Sequence, residues 1–203
     1  MALTNEDRDR IADAIARVET RTSGQIVCVV ARASSNYAYM PLVWAALLAL
    51  AAPWPLIGLT HLSVQRIYII QLVMFIAAAV LFEQPWVRFR IVPRPVRRAR
   101  AFRAATEQFL IRGLTRTRER TGVLIYVSLA ERYARIIADD GIAAKVKQAD
   151  WQGAVDVLVQ HISANEIADG LVAAVEQCGL VLAAHAPPIS GPTSELPNRV
   201  YVL

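Results

Sequence analysis

The sequence predicts an α/β protein: a small central sheet, built from one parallel crossover and one antiparallel hairpin, flanked by helices and interrupted by a two-helix transmembrane hairpin. Three observations predict it. Two compact β-branched runs, Gln25-Ile-Val-Cys-Val-Val-Ala31 and Val123-Leu-Ile-Tyr-Val-Ser-Leu129, each follow a helical segment that closes on Thr and Gly. No charged side chain occurs from Met40 to Leu59 or from Ile67 to Phe82. A cluster of arginines comes directly after the second of these runs, with no acidic residue from Trp86 until Glu107.

The first element is a helix from about Asn5 to Thr20. Thr4-Asn-Glu-Asp7 has the form of a helix N-terminus, and Ile11, Ile15 and Val18 recur on one face. Thr22-Ser-Gly24 ends it, the 25–31 run follows as a strand buried on both faces, and Arg32 to Asn36 bridges to the membrane. Each uncharged run approaches the length that a helix rising ~1.5 Å per residue needs to cross a ~30 Å hydrocarbon core. A hairpin of core helices would carry a polar stripe that these runs lack. Pro53 and Pro55 predict a kink near Ala52 or an irregular far end. Gln71 is available for a hydrogen bond to the first membrane helix or to a second copy of the chain, so the hairpin can support a homo-oligomer. The connecting loop, Thr60 to Arg66, holds one arginine, whereas Arg88, Arg90, Arg94, Arg97, Arg98 and Arg100 follow the second span. Basic residues beside a span stay on the cytoplasmic side, so both termini are expected there in a multi-pass protein of the inner membrane. Tyr37, Tyr39 and Trp86 would sit at the headgroups. Leu3 to Arg21, rich in both charges, does not read as a cleavable signal.

After Pro93 and Pro95 a helix is expected from near Val96 to about Glu119, with Phe102, Ala105, Phe109 and Gly113 on one face. Arg120-Thr-Gly122 ends it. Tyr133 to Ala138 is a third strand, paired antiparallel with the second through the Ala130-Glu-Arg132 turn. Asp139-Asp-Gly141 then offers an N-cap to a helix near Ile142, and Asp150 can cap a segment from Trp151 to about Ile162. Ser163-Ala-Asn-Glu166 reads as a capping box for a last helix that places Ile167, Leu171, Val175, Cys178 and Leu182 together. The expected organisation is residues 1–36 and 87–186 as two parts of one domain, 37–86 as the membrane hairpin and 187–203 as a mobile tail.

Composition agrees. The chain has 203 residues, 55% of them hydrophobic, with a mean hydropathy of +0.36. Removing the hairpin leaves about 160 residues of ordinary character, enough for one domain. The net charge of +5 is concentrated in the arginines after the hairpin, which makes anionic membrane lipid the nearer partner and argues against nucleic acid. Cys28 and Cys178 have no metal or redox spacing and read as buried small hydrophobes.

Candidate chemistry is sparse. Asp139 and Asp140 at a strand end, with Asp150 nearby in sequence, are candidate ligands for a hard divalent cation such as calcium or magnesium. The plainer reading has one aspartate capping the following helix and the other facing water, with no cofactor. Glu131 and Arg132 read as solvated turn residues. His61, His161 and His185 are scattered, without a nucleophile-and-base pattern.

Thr22-Ser-Gly-Gln-Ile-Val-Cys-Val-Val30, then Arg120-Thr-Gly-Val-Leu-Ile-Tyr-Val-Ser-Leu-Ala-Glu-Arg-Tyr-Ala-Arg-Ile-Ile-Ala-Asp-Asp-Gly-Ile142, and then Trp151, together resemble the TPM domain family. That family includes bacterial membrane proteins and plant thylakoid-lumen proteins linked to photosystem II repair. The resemblance implies an α/β fold with a central sheet between helices. Some plant members are described as acid phosphatases, and their pattern has Gly-x-Gly-Leu-Glu after the third strand where this chain has Asp139-Asp-Gly-Ile142. The reading that follows is a membrane-anchored cytoplasmic module that binds a protein partner. The alternative is a divalent-metal-dependent phosphatase using the acidic loop.

Overall fold

The computed structural model describes residues 3–35, 39–84, 87, 92–188 and 196–203. The described helices are α1 (Asn5–Glu19), α2 (Tyr39–Ala51), α3 (Pro53–Leu59), α4 (Val64–Glu83), α5 (Arg94–Ile111), α6 (Asp140–Ala143), α7 (Gln152–Ser163) and α8 (Ile167–His185); the strands are β1 (Gln25–Ala31), β2 (Gly122–Ser128), β3 (Tyr133–Ala138) and β4 (Val200–Val202). The chain divides into two compact units, Met1–Ser34 with Arg98–Leu203, and Ser35–Arg97.

The first unit is built on a mixed sheet of order β3-β2-β1-β4. β1 pairs in parallel with β2 from Gln25 opposite Gly122 to Ala31 opposite Ser128. β2 and β3 form the expected antiparallel hairpin, from Val123 opposite Ala138 to Ser128 opposite Tyr133. A parallel pair needs a long crossover; here α2, α3, α4 and α5 lie between its two strands in sequence. Alternate residues of the central strands enter two separate cores. Ile26, Cys28 and Val30 of β1 and Val123, Ile125 and Val127 of β2 cluster with Ile11, Ile15, Leu171, Val175, Cys178 and Leu182 of α1 and α8. Val27, Val29, Leu124 and Tyr126 cluster with Ala105, Phe109 and Leu114 on the other face. Every residue of β1 and β2 is therefore buried, which is why both strands read as unbroken apolar runs rather than as alternating ones.

Local chemistry explains the helix ends. Thr4 Oγ accepts from the Asp7 N–H at 3.1 Å while Asp7 accepts from the Thr4 N–H at 3.0 Å, a reciprocal cap that satisfies two otherwise orphaned donors. At the other end of α1, Glu19 is buried and accepts from the Ile26 N–H at 3.0 Å. α5 stops at Ile111, well short of Glu119, because Gly113 adopts a left-handed φ of 71° and turns the chain into a short 3-10 segment, Leu114–Arg116. Its buried stripe is Ala101, Ala105 and Phe109; Phe102, expected on that stripe, is exposed.

Two caps differ from the sequence reading. Ser163 ends α7 and donates to Val159 O at 2.9 Å instead of capping α8; Asn165, at φ 69°, makes the turn, since a short polar side chain tolerates that region. Asp150 lies within a 3-10 turn, Gln148–Trp151, ahead of α7. The segment expected to be a mobile tail also ends differently: Val200–Val202 is a strand, parallel to β1 with Val200 opposite Cys28. Three residues on a sheet edge gain their place from β1, whose outer backbone groups would otherwise be unpaired.

In the second unit, α2 and α3 are separated at Ala52, and Pro53 opens α3, the break that the prolines predict. α4 packs against α2. Ala45, Ala49 and Ala78 are buried while Leu50, Ile57, Val73, Ile76 and Val80 are exposed; small residues where helices meet let their backbones approach. Three helical stretches are long and apolar enough to cross a membrane: Tyr39–Leu59 and Val64–Glu83, each of mean hydropathy 2.0, and Ile167–His185, of mean hydropathy 1.6. The third, α8, buries nine residues of the α/β domain, Leu171, Val175, Cys178 and Leu182 among them, so core packing accounts for its apolar character.

Candidate functional site

The acidic loop after β3 is assembled by backbone constraints. Asp139 ends the β3 register and caps α6, its Oδ1 accepting from the Asp140 N–H at 2.9 Å. Gly141 donates its N–H to Arg120 O at 3.0 Å, and a Cβ at this position would lie 2.3 Å from Glu119 O and 2.6 Å from Arg120 O. Only glycine permits that approach. Arg120, at φ 51°, closes the loop: its guanidinium lies 3.2 Å from Asp139 Oδ1 and 2.9 Å from Asp140 Oδ2. Its proton is held more tightly than that of an ordinary arginine, first by the hydrogen bond to Asp139 and then by the charges of both aspartates.

The structure thus brings Asp139 and Asp140 together, but on an arginine. Asp150 accepts instead from the Lys147 N–H at 2.7 Å. Among the described residues no group of three or more His, Cys, Asp or Glu is arranged to hold a metal ion. A divalent cation at the pair would have to displace Arg120, and the phosphatase reading finds no support in this geometry. The arrangement acts as a cap and a clasp. Replacing Asp139, which is 3% exposed, by alanine is expected to cost about 0.5–2 kcal/mol through the cap. Asp140→Ala, at an exposed position, should stay within about 0.5 kcal/mol. Melting of the full chain in neutral detergent checks both; equal effects would contradict the capping assignment.

A second cluster lies at the carboxyl ends of β1 and β2, the edge of an α/β sheet where ligands commonly bind. The Glu131 carboxylate accepts from the Ser34 N–H at 3.0 and 3.2 Å and from the Ser128 hydroxyl. Ser34 Oγ and the Tyr126 phenol oxygen are 3.0 Å apart. Burial pushes the Tyr126 phenol up from its usual range, against the lowering effect of the Ser34 hydrogen bond. The tight turn responsible places Arg132 at φ 48° and aims Glu131 back across the sheet end. The turn reading of Glu131 and Arg132 is thereby refined: Glu131 braces Ser34, the last residue of the first unit before the second begins at Ser35. No sequence signal marks this contact, because the partners are 97 positions apart and meet only through the β1–β2 register. Arg135 on β3 lies 4.5 Å from the Phe102 ring centroid, with its Nε buried and unpartnered.

Of the arginines expected at a membrane surface, Arg94 and Arg98 are exposed and Arg97 and Arg100 are half-buried; Arg88 and Arg90 lie outside the described residues.

Comparison with known proteins finds one family model and a solved structure similar to this chain. Residues 87–181 match the family model described as the TPM domain, a stretch that runs from before α5 into α8 and leaves α1 and β1 outside. No curated protein matches the chain. Among solved structures, the BA42 protein of the psychrophilic bacterium Bizionia argentinensis is similar in fold, with a TM-score of 0.63 at 20% identity, covering 100% of this chain and 96% of that one. Over residues 87–181, somewhat less than half of its length, the chain is similar to the TPM domain family.

Proposed function

We propose that the protein is an integral membrane protein of the inner membrane, with both termini in the cytoplasm, whose TPM domain is an interaction or assembly module for a protein partner. The observation that carries the reading is the hairpin: two helical stretches of membrane-spanning length whose large apolar side chains are exposed, Trp54 at 83%, followed at once by the arginine run. Exposing that much aliphatic surface to water is unfavourable by about 25 cal/mol per Å², and lipid removes the penalty. The module reading is supported by how the domain uses its polar groups. Asp139, Asp140, Asp150 and Glu131 each bind backbone or arginine within the fold.

The protein is expected to stay with membranes through alkaline and high-salt washes, since two spans hold far more strongly than a polybasic contact; release by salt alone would refute the hairpin. Topology is read with an impermeant thiol reagent. Both natural cysteines are buried, and burial pushes the Cys28 thiol up to about 12 and Cys178 upward too, so the background is silent. Ser63→Cys, in the loop before α4, should be labelled from outside and Ser194→Cys should not; the opposite pattern overturns the orientation. Copurification from mild detergent tests the module, and the absence of any stoichiometric protein partner would count against it.

A further inference from the structure

We infer a second lipid-binding site, separate from the arginines that follow the hairpin: a pocket at the end of α5 that takes the phosphate of an anionic phospholipid headgroup. The sequence Leu110-Ile-Arg-Gly-Leu-Thr-Arg116 builds it. Gly113 turns the chain at the helix end, so that Leu114 plugs the core while Leu110 and Ile111 stay outside, 60% and 62% exposed. Arg112 and Arg116 flank the turn. Together with Leu196 they line a pocket of about 390 Å³.

Arg112 is already oriented for an anion. Its Nε donates to Gln108 Oε1 at 3.2 Å, and its guanidinium carbon lies 3.7 Å from the centroid of the Tyr201 ring. Its Nη groups have no protein acceptor among the described residues. Arg199 lies 4.8 Å from the centroid of the same ring, so two like charges share one aromatic side chain. Among the described residues no salt bridge involves Arg112, Arg116 or Arg199. A cluster of guanidiniums with no salt bridge among the described residues suits a phosphate, which accepts paired N–H donors from an arginine.

The exposed aliphatic pair decides between sources of that phosphate. A free phosphate compound gains nothing from Leu110 and Ile111, whereas a lipid places its headgroup against Arg112 and Arg116 and its acyl boundary against the two side chains. The inference rests on the membrane reading, because the hairpin would hold the domain where such lipid is concentrated.

The test uses the purified full chain in neutral detergent, titrated with short-chain phosphatidylglycerol, with phosphatidylcholine, with inorganic phosphate and with an acidic amphipathic peptide. Phosphatidylglycerol should bind more tightly than the other three. Arg112→Gln with Arg116→Gln should weaken it by on the order of fivefold for each arginine removed, with the melting midpoint unchanged. If the double variant melts early, Arg116→Gln alone serves, since that side chain is exposed and has no salt bridge among the described residues. Equal affinity in parent and variant overturns the site. Arginine-dependent binding of inorganic phosphate as tight as that of phosphatidylglycerol reassigns it to soluble phosphate compounds, and arginine-dependent binding of the peptide reassigns it to a protein; either overturns the lipid assignment. Alkaline extraction of the same variants reads the hairpin independently, so loss of the site and loss of the membrane reading give different results.

Discussion

A fragment containing only residues 94–203 is expected to show no cooperative thermal transition. β1 is a central strand, bonded to β2 on one side and β4 on the other, and all seven of its residues are buried. Removing residues before the hairpin also removes α1, whose Ile11, Ile15 and Val18 belong to the larger core. What remains of the sheet is the β2–β3 hairpin, and a two-stranded hairpin is marginal in water by itself. The unpaired edges of β2 and β4 would then expose backbone donors and invite aggregation. Circular dichroism and a melt decide the matter: a sharp transition at the midpoint of the full chain would show that the domain is not split across the membrane insertion. The family match begins at residue 87, so the match taken alone would suggest a self-sufficient unit. The sheet order argues otherwise.

The second large effect concerns pH. Glu19 lies buried between α1 and β1, with Oε2 unpartnered, and burial raises its pKa from 4.5 to about 7 against the opposing hydrogen bonds from Ile26 and Asn198. Between these values the folded state holds a proton that the unfolded chain has lost. The contribution of Glu19 to stability is therefore greatest below about 4.5, falls as pH rises to about 7, and is level above. A difference of this size corresponds to roughly 3 kcal/mol. Glu19→Gln keeps an acceptor for the Ile26 N–H and removes the charge, so it should flatten the profile and stabilise the protein at pH 8. The parent should lose roughly 6–12 °C in melting midpoint across the window, and the variant much less. A parent profile that rises from pH 5 to pH 8 would contradict the burial of this carboxylate.

The elements legible in sequence are those whose pattern is local. β1 and β2 were readable because strands buried on both faces need β-branched and apolar residues at every position, and the half-buried β3 because a tight turn joins it to β2. The stripe Ile167, Leu171, Val175, Cys178 and Leu182 was readable because helical spacing puts it on one face, and all five are buried. The run Asp139-Asp-Gly141 announces a cap, and the structure assigns it to Asp139. What escaped depends on contacts between distant segments. Val200-Tyr-Val202 is too short to announce a strand, and only the free edge of β1 makes it one. Glu19 looks like an ordinary helix-end carboxylate until the start of β1 and the segment holding Asn198 close over it. Glu131 looks like a turn residue until the parallel register brings Ser34 beside it. Arg120 was not read as the partner of Asp139 because 19 positions separate them and the β2–β3 hairpin must form first.

The placement of β1 also sets a timetable for biosynthesis. The first partner of this strand is β2, and roughly ninety residues are made between them, a wait of roughly 5–18 s at 5–20 residues per second. During that interval the two long apolar helices are made while a buried, mostly apolar strand has no partner, and β4 arrives later still. A nascent chain of this kind depends on whatever shields its first strand, which makes holdase binding to residues 25–31 during translation a determinant of yield, separate from the stability of the finished domain.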